Sequence, residues 1–164
     1  MREDANGMAN YTEPLKAFRF LVEMENSGVV AAAFSYFSGV KMDVRTVSAR
    51  AGDDWRGVQT DVPVLTVFQP VTLSKGVVGD SDFLKWLHSA SAGVHSGPTG
   101  ISLRRTLNVV ALDEHGKRGV TWSLRGALPI GYELAPMDGG RSEVLTESLT
   151  FSIQGMERKL EGGS

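Results

Sequence analysis

Apolar and polar residues alternate along most of this chain, and that alternation predicts strands. In VTLSKG, Val71 and Leu73 alternate with Thr72 and Ser74. A period of two places successive side chains on opposite faces of an extended strand. The same pattern occurs in KAFRFLVEM, AAAFSYFSGV, LNVVAL, VTWSL and EVLTESLTFSIQGM. We therefore predict about six or seven strands.

One stretch has helical spacing instead of alternation. Its apolar positions, three or four residues apart, are Phe83, Trp86, Leu87 and Ala90. Asp80 or Ser81 can cap the first turn, and the Gly/Ser/Pro-rich run after Ser91 ends the helix. Trp86 is predicted to pin this helix to a sheet. Sheet layers with a single covering helix predict a mainly β fold, an antiparallel barrel or sandwich with one short flanking α-helix.

Three other segments have distinct patterns. KMDVRTVSARAG is extended but polar on both faces, which predicts a strand that faces solvent or a wet neighbour. Residues 51–63 form a turn-rich loop, in which Trp55 is either tucked under the loop or available to a partner. Residues 64–76 are predicted as one strand, with Pro70 at an edge or a bulge. GYELAPMDGG is predicted as a loop.

Composition indicates one domain without disulfides. The 164-residue chain has no cysteine, which excludes disulfides and thiolate metal sites and favours a cytosolic origin. We predict a flexible arm over residues 1–13, a domain over 14–158 and a tail over 159–164. A net charge of −2 argues against nucleic-acid binding as the main role. The polar N-terminus predicts no secretory signal, and no apolar run approaches the ~20 residues of a membrane span.

Candidate chemistry is sparse. His88, His95 and His115 have no partners at metal-ligand spacing. The acid pairs in GDSD and AGDD are better suited to a helix cap and a loop surface than to acid–base catalysis. No nucleophile elbow and no phosphate-binding loop with its lysine is found in the sequence. We expect no catalytic, metal or cofactor site.

The order of these segments resembles the tail tube proteins of contractile phage tails and of extracellular contractile injection particles. The similarity spans about residues 15–157, and it depends on the order and spacing of several motifs rather than on any single one. The positions that carry it are Phe34, Ser38, Gly39, Leu73, Lys75, Gly76, Leu84, Trp86, Asp113, Gly116, Trp122, Ala127, Pro129, Glu147 and Leu149.

The resemblance implies a structural protein without enzymatic activity. Such proteins form rings of six copies whose inner strands join into one barrel around a channel. The rings stack into an inner tube, which a contractile sheath drives through a target envelope. The type VI secretion tube protein has a similar fold. Expected partners are therefore sister copies, sheath and baseplate proteins, and DNA or protein cargo in the channel, with no membrane anchoring.

The same resemblance suggests site residues. The loop carrying Asp53, Asp54, Trp55 and Arg56 would reach an adjacent subunit or the next ring. On the two-sided polar strand, Arg45, Thr46 and Ser48 would face the channel. Two other functions stay open: a monomeric small-ligand-binding barrel and, less supported, an enzyme.

Further alternatives stay open about the assembly itself. It can be a phage tail, a bacteriocin or an extracellular injection particle. The chain can be the repeated tube unit or a specialised first ring. In each case the chain would be made in the bacterial cytoplasm without a signal peptide and built into the virion or injection particle.

Overall fold

The computed structural model describes residues 20–25, 30–31, 34–49, 52, 59–76, 82–92, 103–140 and 144–160, without the side chains of residues 30–31. These residues form ten strands and one helix. In chain order they are β1 (Phe20–Met24), β2 (Val30–Ala31), β3 (Phe34–Phe37), β4 (Met42–Ala49), β5 (Thr60–Phe68), β6 (Val71–Gly76), α1 (Asp82–Ser91), β7 (Arg105–Leu112), β8 (Arg118–Leu134), β9 (Thr146–Ser152) and β10 (Gly155–Leu160).

The strands form two layers that share one long strand. Sheet A consists of β2, β1, β7, the N-terminal half of β8, and β10; sheet B consists of the C-terminal half of β8, β9, β6 and β3. Every pair is antiparallel. The path through both sheets ends at β2 and β3 without closing on itself. The predicted mainly β antiparallel fold with one helix is confirmed, as an open sandwich rather than a closed barrel.

The core lies between the inner faces of the two sheets and under α1. Its buried members are Val22, Met24, Phe34, Val71, Leu73, Phe83, Trp86, Leu107, Val109, Leu124, Ala127, Leu149, Phe151 and Ile153. The α1 side chains Phe83 and Trp86 pack on β3 and β9, with ring centroids 5.3 Å from Phe34 and 5.4 Å from Phe151. The helix and the role of Trp86 are as predicted. At ten residues, α1 is too short to cross a membrane. Among the described residues, no helix is long and apolar enough to do so.

A glycine marks the point where β8 leaves one sheet for the other. Gly126 has a φ of +62°, and a Cβ there would lie 2.3 Å from the Gln154 side-chain oxygen. The backbone N–H of Gln154 donates to the Arg125 carbonyl at 2.9 Å, between β9 and β10. The Arg104 guanidinium donates to the Gly126 carbonyl at 2.8 Å. Both neighbouring strands therefore bend at one position, and only glycine fits there without strain.

Gly126→Ala is expected to lower the free energy of unfolding by about 1–3 kcal/mol, through left-handed backbone strain and contact with Gln154. Gly116→Ala is the matched control, because Gly116 has a φ of +78° but no atom within 4 Å of the added Cβ. Urea unfolding of both variants distinguishes the cost of backbone strain, which both share, from the cost of the Gln154 contact, which only Gly126→Ala has. Equal losses in the two variants would contradict a role for the Gln154 contact.

Several segments differ from their sequence-based predictions. The described residues form ten strands where six or seven were predicted, and residues 60–63, predicted as part of a loop, belong to β5. The single strand predicted over 64–76 is wrong, because the chain breaks at Gln69 and Pro70 into β5, which pairs β4, and β6, which pairs β3 and β9. Pro70 has no N–H to continue a ladder. Residues 131–134, predicted as a loop, extend β8, because pairing with β9 overrides the local turn composition. β10 ends at Leu160, inside the segment predicted as a C-terminal tail.

Candidate assembly surface

Sheet B ends in two strand edges that lack a partner within the described residues. β9 and β10 follow each other along one edge of β8, and β7 pairs the opposite edge only as far as Ala127. The stretch Leu128–Leu134 therefore has an edge that no strand of the described ranges pairs. At the other end of sheet B, β6 is the only strand that pairs β3 among the described residues. Unpaired edges of this kind favour association with further strands.

Exposed apolar side chains lie on both of these edge strands. Tyr36 on β3 and Ile130 on β8 are each 53% exposed. Tyr132 and Leu134 on β8 are also exposed, and Met137 follows directly after the strand. Single exposed apolar residues are common on protein surfaces, so the informative feature is that several of them follow one another along the β8 edge.

The outer face of sheet B, which points away from the core, carries a field of hydroxyl groups. We call this the hydroxyl face, and its members on β6 and β9 are Thr72, Ser74, Thr146, Ser148, Thr150 and Ser152. Ser74 and Ser148 lie opposite each other with their hydroxyl oxygens 2.7 Å apart. Glu133 on β8 lies opposite Ser148. It is the only charged residue on this face among the residues that the structure describes. The face is thus polar but nearly uncharged.

The inner face of sheet B contains a buried ion pair. Lys75 Nζ lies 3.3 Å from Glu147 Oε1, and the two side chains are 4% and 3% exposed. No hydrogen bond reaches Glu147 Oε1 from the described residues, so this contact is an ion pair without an aligned hydrogen bond. The Tyr132 hydroxyl donates to Glu147 Oε2 at 3.3 Å. Desolvation, followed by the charge of Glu147, raises the pKa of Tyr132.

β4 and β5 form a separate two-stranded hairpin that pairs no other described strand. A bulge between Arg45 and Thr46 leaves Val64 without an opposite residue. Apolar side chains are exposed along this hairpin, with Val47 at 58% and Val64 at 64%. β4 is exposed over nearly its whole length, which agrees with a strand that does not contribute to a dry core.

The residues predicted to face a channel all lie on β4, but they do not share one face. Strand alternation places Thr46 and Ser48 on one side of the hairpin and Arg45 on the other. Ser48 donates from Oγ to Asp61 at 2.8 Å. The predicted interface residues Asp53, Asp54, Trp55 and Arg56 lie outside the described residues.

The sequence analysis did not predict the hydroxyl face, although the alternation within each of its strands is visible in the sequence. Serine and threonine alternate with apolar residues in both VTLSKG and TESLTFS. What the alternation could not supply was that β6 and β9 are neighbours, which aligns their polar positions. A polar face shared by adjacent strands was therefore recognisable only from the pairing.

Charged side chains near turns have structural roles here. Asp113 Oδ1 accepts hydrogen bonds from the backbone N–H groups of His115 and Lys117, each at 2.8 Å. The Lys117 hydrogen bond is the main cause of the lowered pKa of Asp113.

Across the described ranges, no group of three or more His, Cys, Asp or Glu residues could hold a metal ion.

Comparison with known proteins identifies the class. The family model described as T4-like virus tail tube protein gp19 matches residues 16–157, so the chain belongs to this family of tail tube proteins. The resemblance inferred from the sequence is confirmed. Among curated protein sequences, none matches this chain.

Solved structures share the fold at low sequence identity. A chain of the anti-feeding prophage (AFP) baseplate, solved with 6-fold symmetry, is 21% identical with a TM-score of 0.71, covering 90% of this chain and 96% of that one. A chain of the PVC extracellular contractile injection system sheath–tube complex is 18% identical with a TM-score of 0.72, covering 90% and 93%. Hcp1 from Flavobacterium johnsoniae is 13% identical with a TM-score of 0.51, covering 88% and 95%.

Proposed function

We propose that this protein is the inner tube subunit of a contractile tail or injection particle, and that its copies join through the edges of sheet B. The observation that carries the proposal is that, within the described residues, sheet B has two free edges formed by different strands, β3 and β8. Pairing of β3 with the β8 edge of the next copy is a heterologous contact, which can close into a ring. Closure removes every free edge of the joined sheet. Six copies in a ring match the symmetry of the related baseplate structure.

In such a ring the hydroxyl face would line the channel. The inner face of sheet B is covered by core side chains and α1, so only the outer face can point to a central space. Hydroxyl groups that already hydrogen-bond to one another, on a nearly uncharged face, offer few strong contacts to a passing molecule, whether DNA or protein. The prediction that Arg45, Thr46 and Ser48 face the channel stays a prediction, and only one side of the hairpin can do so.

The β4–β5 hairpin and the adjoining loop would connect neighbouring copies or successive rings. Exposed apolar residues on the hairpin support this role, since burial against a sister copy would remove them from water. Asp53, Asp54, Trp55 and Arg56 are proposed contacts of this region. Sheath and baseplate proteins are the proposed further partners, and the role is mechanical rather than catalytic.

The experiment compares two matched substitutions by negative-stain electron microscopy and sedimentation. Ile130→Lys places a charge beside the free β8 edge, where the side chain is 53% exposed. Leu160→Lys places the same charge on β10 of sheet A, where the side chain is 55% exposed. We expect six-fold rings or tubes from the wild type and from Leu160→Lys. Ile130→Lys should stay folded but form rings at least about tenfold less well, because an unpaired charge is buried at the joint.

Two outcomes would contradict the proposal. One is that the wild type remains monomeric at all concentrations, also with its sheath and baseplate partners present. The other is that Ile130→Lys assembles as well as Leu160→Lys. In the first case a monomeric ligand-binding barrel becomes the better interpretation, and titration with hydrophobic fluorescent probes tests it.

A further inference from the structure

The buried ion pair lies midway between the two edges that would join sister copies. Four residues face each other in register across the inner face of sheet B, one from each strand. In order they are Leu134 on β8, Glu147 on β9, Lys75 on β6 and Phe34 on β3. The two charged residues occupy the central strands, and the flanking residues belong to the joining strands.

Each charged group also contacts one of the joining strands. Glu147 Oε2 accepts the Tyr132 hydroxyl hydrogen bond from β8 at 3.3 Å. Lys75 Nζ lies 5.8 Å from the ring centroid of Phe34 on β3, within the range of a cation–π contact. We call Phe34, Lys75, Tyr132 and Glu147 the edge-positioning cluster. A hydrogen bond, an ion pair and a cation–π contact thus connect β8 to β3 through the two central strands of sheet B.

Stability alone is a weak reason for this cluster. Replacing a buried ion pair with apolar residues of similar volume is often neutral or stabilising, whereas the best-attested benefit of such pairs is structural specificity. Apolar side chains tolerate small shifts between strands, but a hydrogen bond depends on distance and direction and an ion pair on distance. The cluster therefore constrains how β3 and β8 are placed relative to each other.

We propose that the edge-positioning cluster sets the angle between the two joining edges, with Tyr132 as a positioning residue, so that sister copies close into a uniform ring. This inference rests on the proposed function. A heterologous interface gives a ring only when its rotation closes, and otherwise gives an open helical filament. Because the same angle recurs at every joint, a small error in one copy accumulates around the ring.

The experiment uses Tyr132→Phe and the double variant Lys75→Met with Glu147→Leu, separately and combined. Melting of dilute subunits measures folding, and electron microscopy measures the fraction of closed rings. For Tyr132→Phe we expect a melting temperature within about 4 °C of the wild type, since one hydrogen bond is lost. We expect closed rings to fall about tenfold, with open or irregular assemblies in their place. Ser123→Ala, which removes a side-chain hydrogen bond to Asn108 within sheet A, away from both joining edges, should assemble like the wild type.

The combined variant shows whether Tyr132 acts through its hydrogen bond to Glu147 or through a direct contact with the neighbouring copy. Once Lys75 and Glu147 are apolar, Tyr132→Phe should have no further effect on ring closure, because its partner is gone. If the wild type forms no rings, the proposed function itself fails. If the wild type forms rings and both Tyr132→Phe and the double variant close equally well, only the positioning role is overturned. An undiminished effect of Tyr132→Phe in the double variant overturns it as well.

Discussion

Lys75→Ala is expected to lower the free energy of unfolding by about 3–5 kcal/mol, because it leaves a buried carboxylate without its counter-charge. Glu147 is 3% exposed, so the carboxylate has little contact with bulk water to compensate for the lost ammonium group. Tyr132 supplies one hydrogen bond to Oε2, but Oε1 has no other partner among the described residues. Urea unfolding at pH 7, followed by tryptophan fluorescence, measures the loss.

Lys85→Ala is the matched control for this prediction. Lys85 also pairs with a carboxylate, Asp82 at 3.4 Å, but its side chain is 78% exposed on α1. An exposed pair of this kind contributes about 0.2–1 kcal/mol, so the variant should unfold almost like the wild type. If Lys75→Ala proved as mild as Lys85→Ala, the pair would be accessible to water and the edge-positioning cluster would lose its physical basis.

The strands that contribute to the core were predictable because a period of two fixes which residues share a face. On β6, β7 and β9, most of the residues that the alternation places on one face are buried in the core, namely Val71, Leu73, Leu107, Val109, Leu149 and Phe151. On β7, Val110 on the opposite face is buried as well. α1 was predictable for the same reason, with a different period. These signals are local, and they survive because tertiary packing reinforces them.

The ion pair and the free edges could not be predicted in the same way. Lys75 and Glu147 occupy core-facing positions near strand ends, where a charged residue alone suggests solvent. Only the β6–β9 register places them opposite each other. Likewise, the free edge of Leu128–Leu134 arises because β7 stops pairing at Ala127 while β9 takes the other side. Both features depend on contacts between residues far apart in sequence.

Trp86→Ala is expected to lower the free energy of unfolding by about 3–5 kcal/mol, through the cavity left under α1. The indole is 1% exposed and packs 5.4 Å from the ring centroid of Phe151. Its Nε1–H donates to the Leu103 carbonyl at 2.6 Å, and the Arg105 guanidinium lies 5.2 Å from its ring. Truncation therefore removes a large apolar contact, a hydrogen bond and a cation–π contact together. Thermal and urea unfolding, monitored by circular dichroism, measure the effect.

Trp86→Phe separates these contributions. Phenylalanine keeps a ring against Phe151 but cannot donate to the Leu103 carbonyl, so we expect a smaller loss of about 1–3 kcal/mol. Equal losses in the two variants would mean that the hydrogen bond to Leu103, rather than packing, holds α1 on the sheet. Because α1 covers the inner face of sheet B, loosening it also disturbs the strands that carry the free edges. Ring formation by Trp86→Ala should therefore decline together with its stability, whereas Tyr132→Phe should impair ring closure while stability is retained.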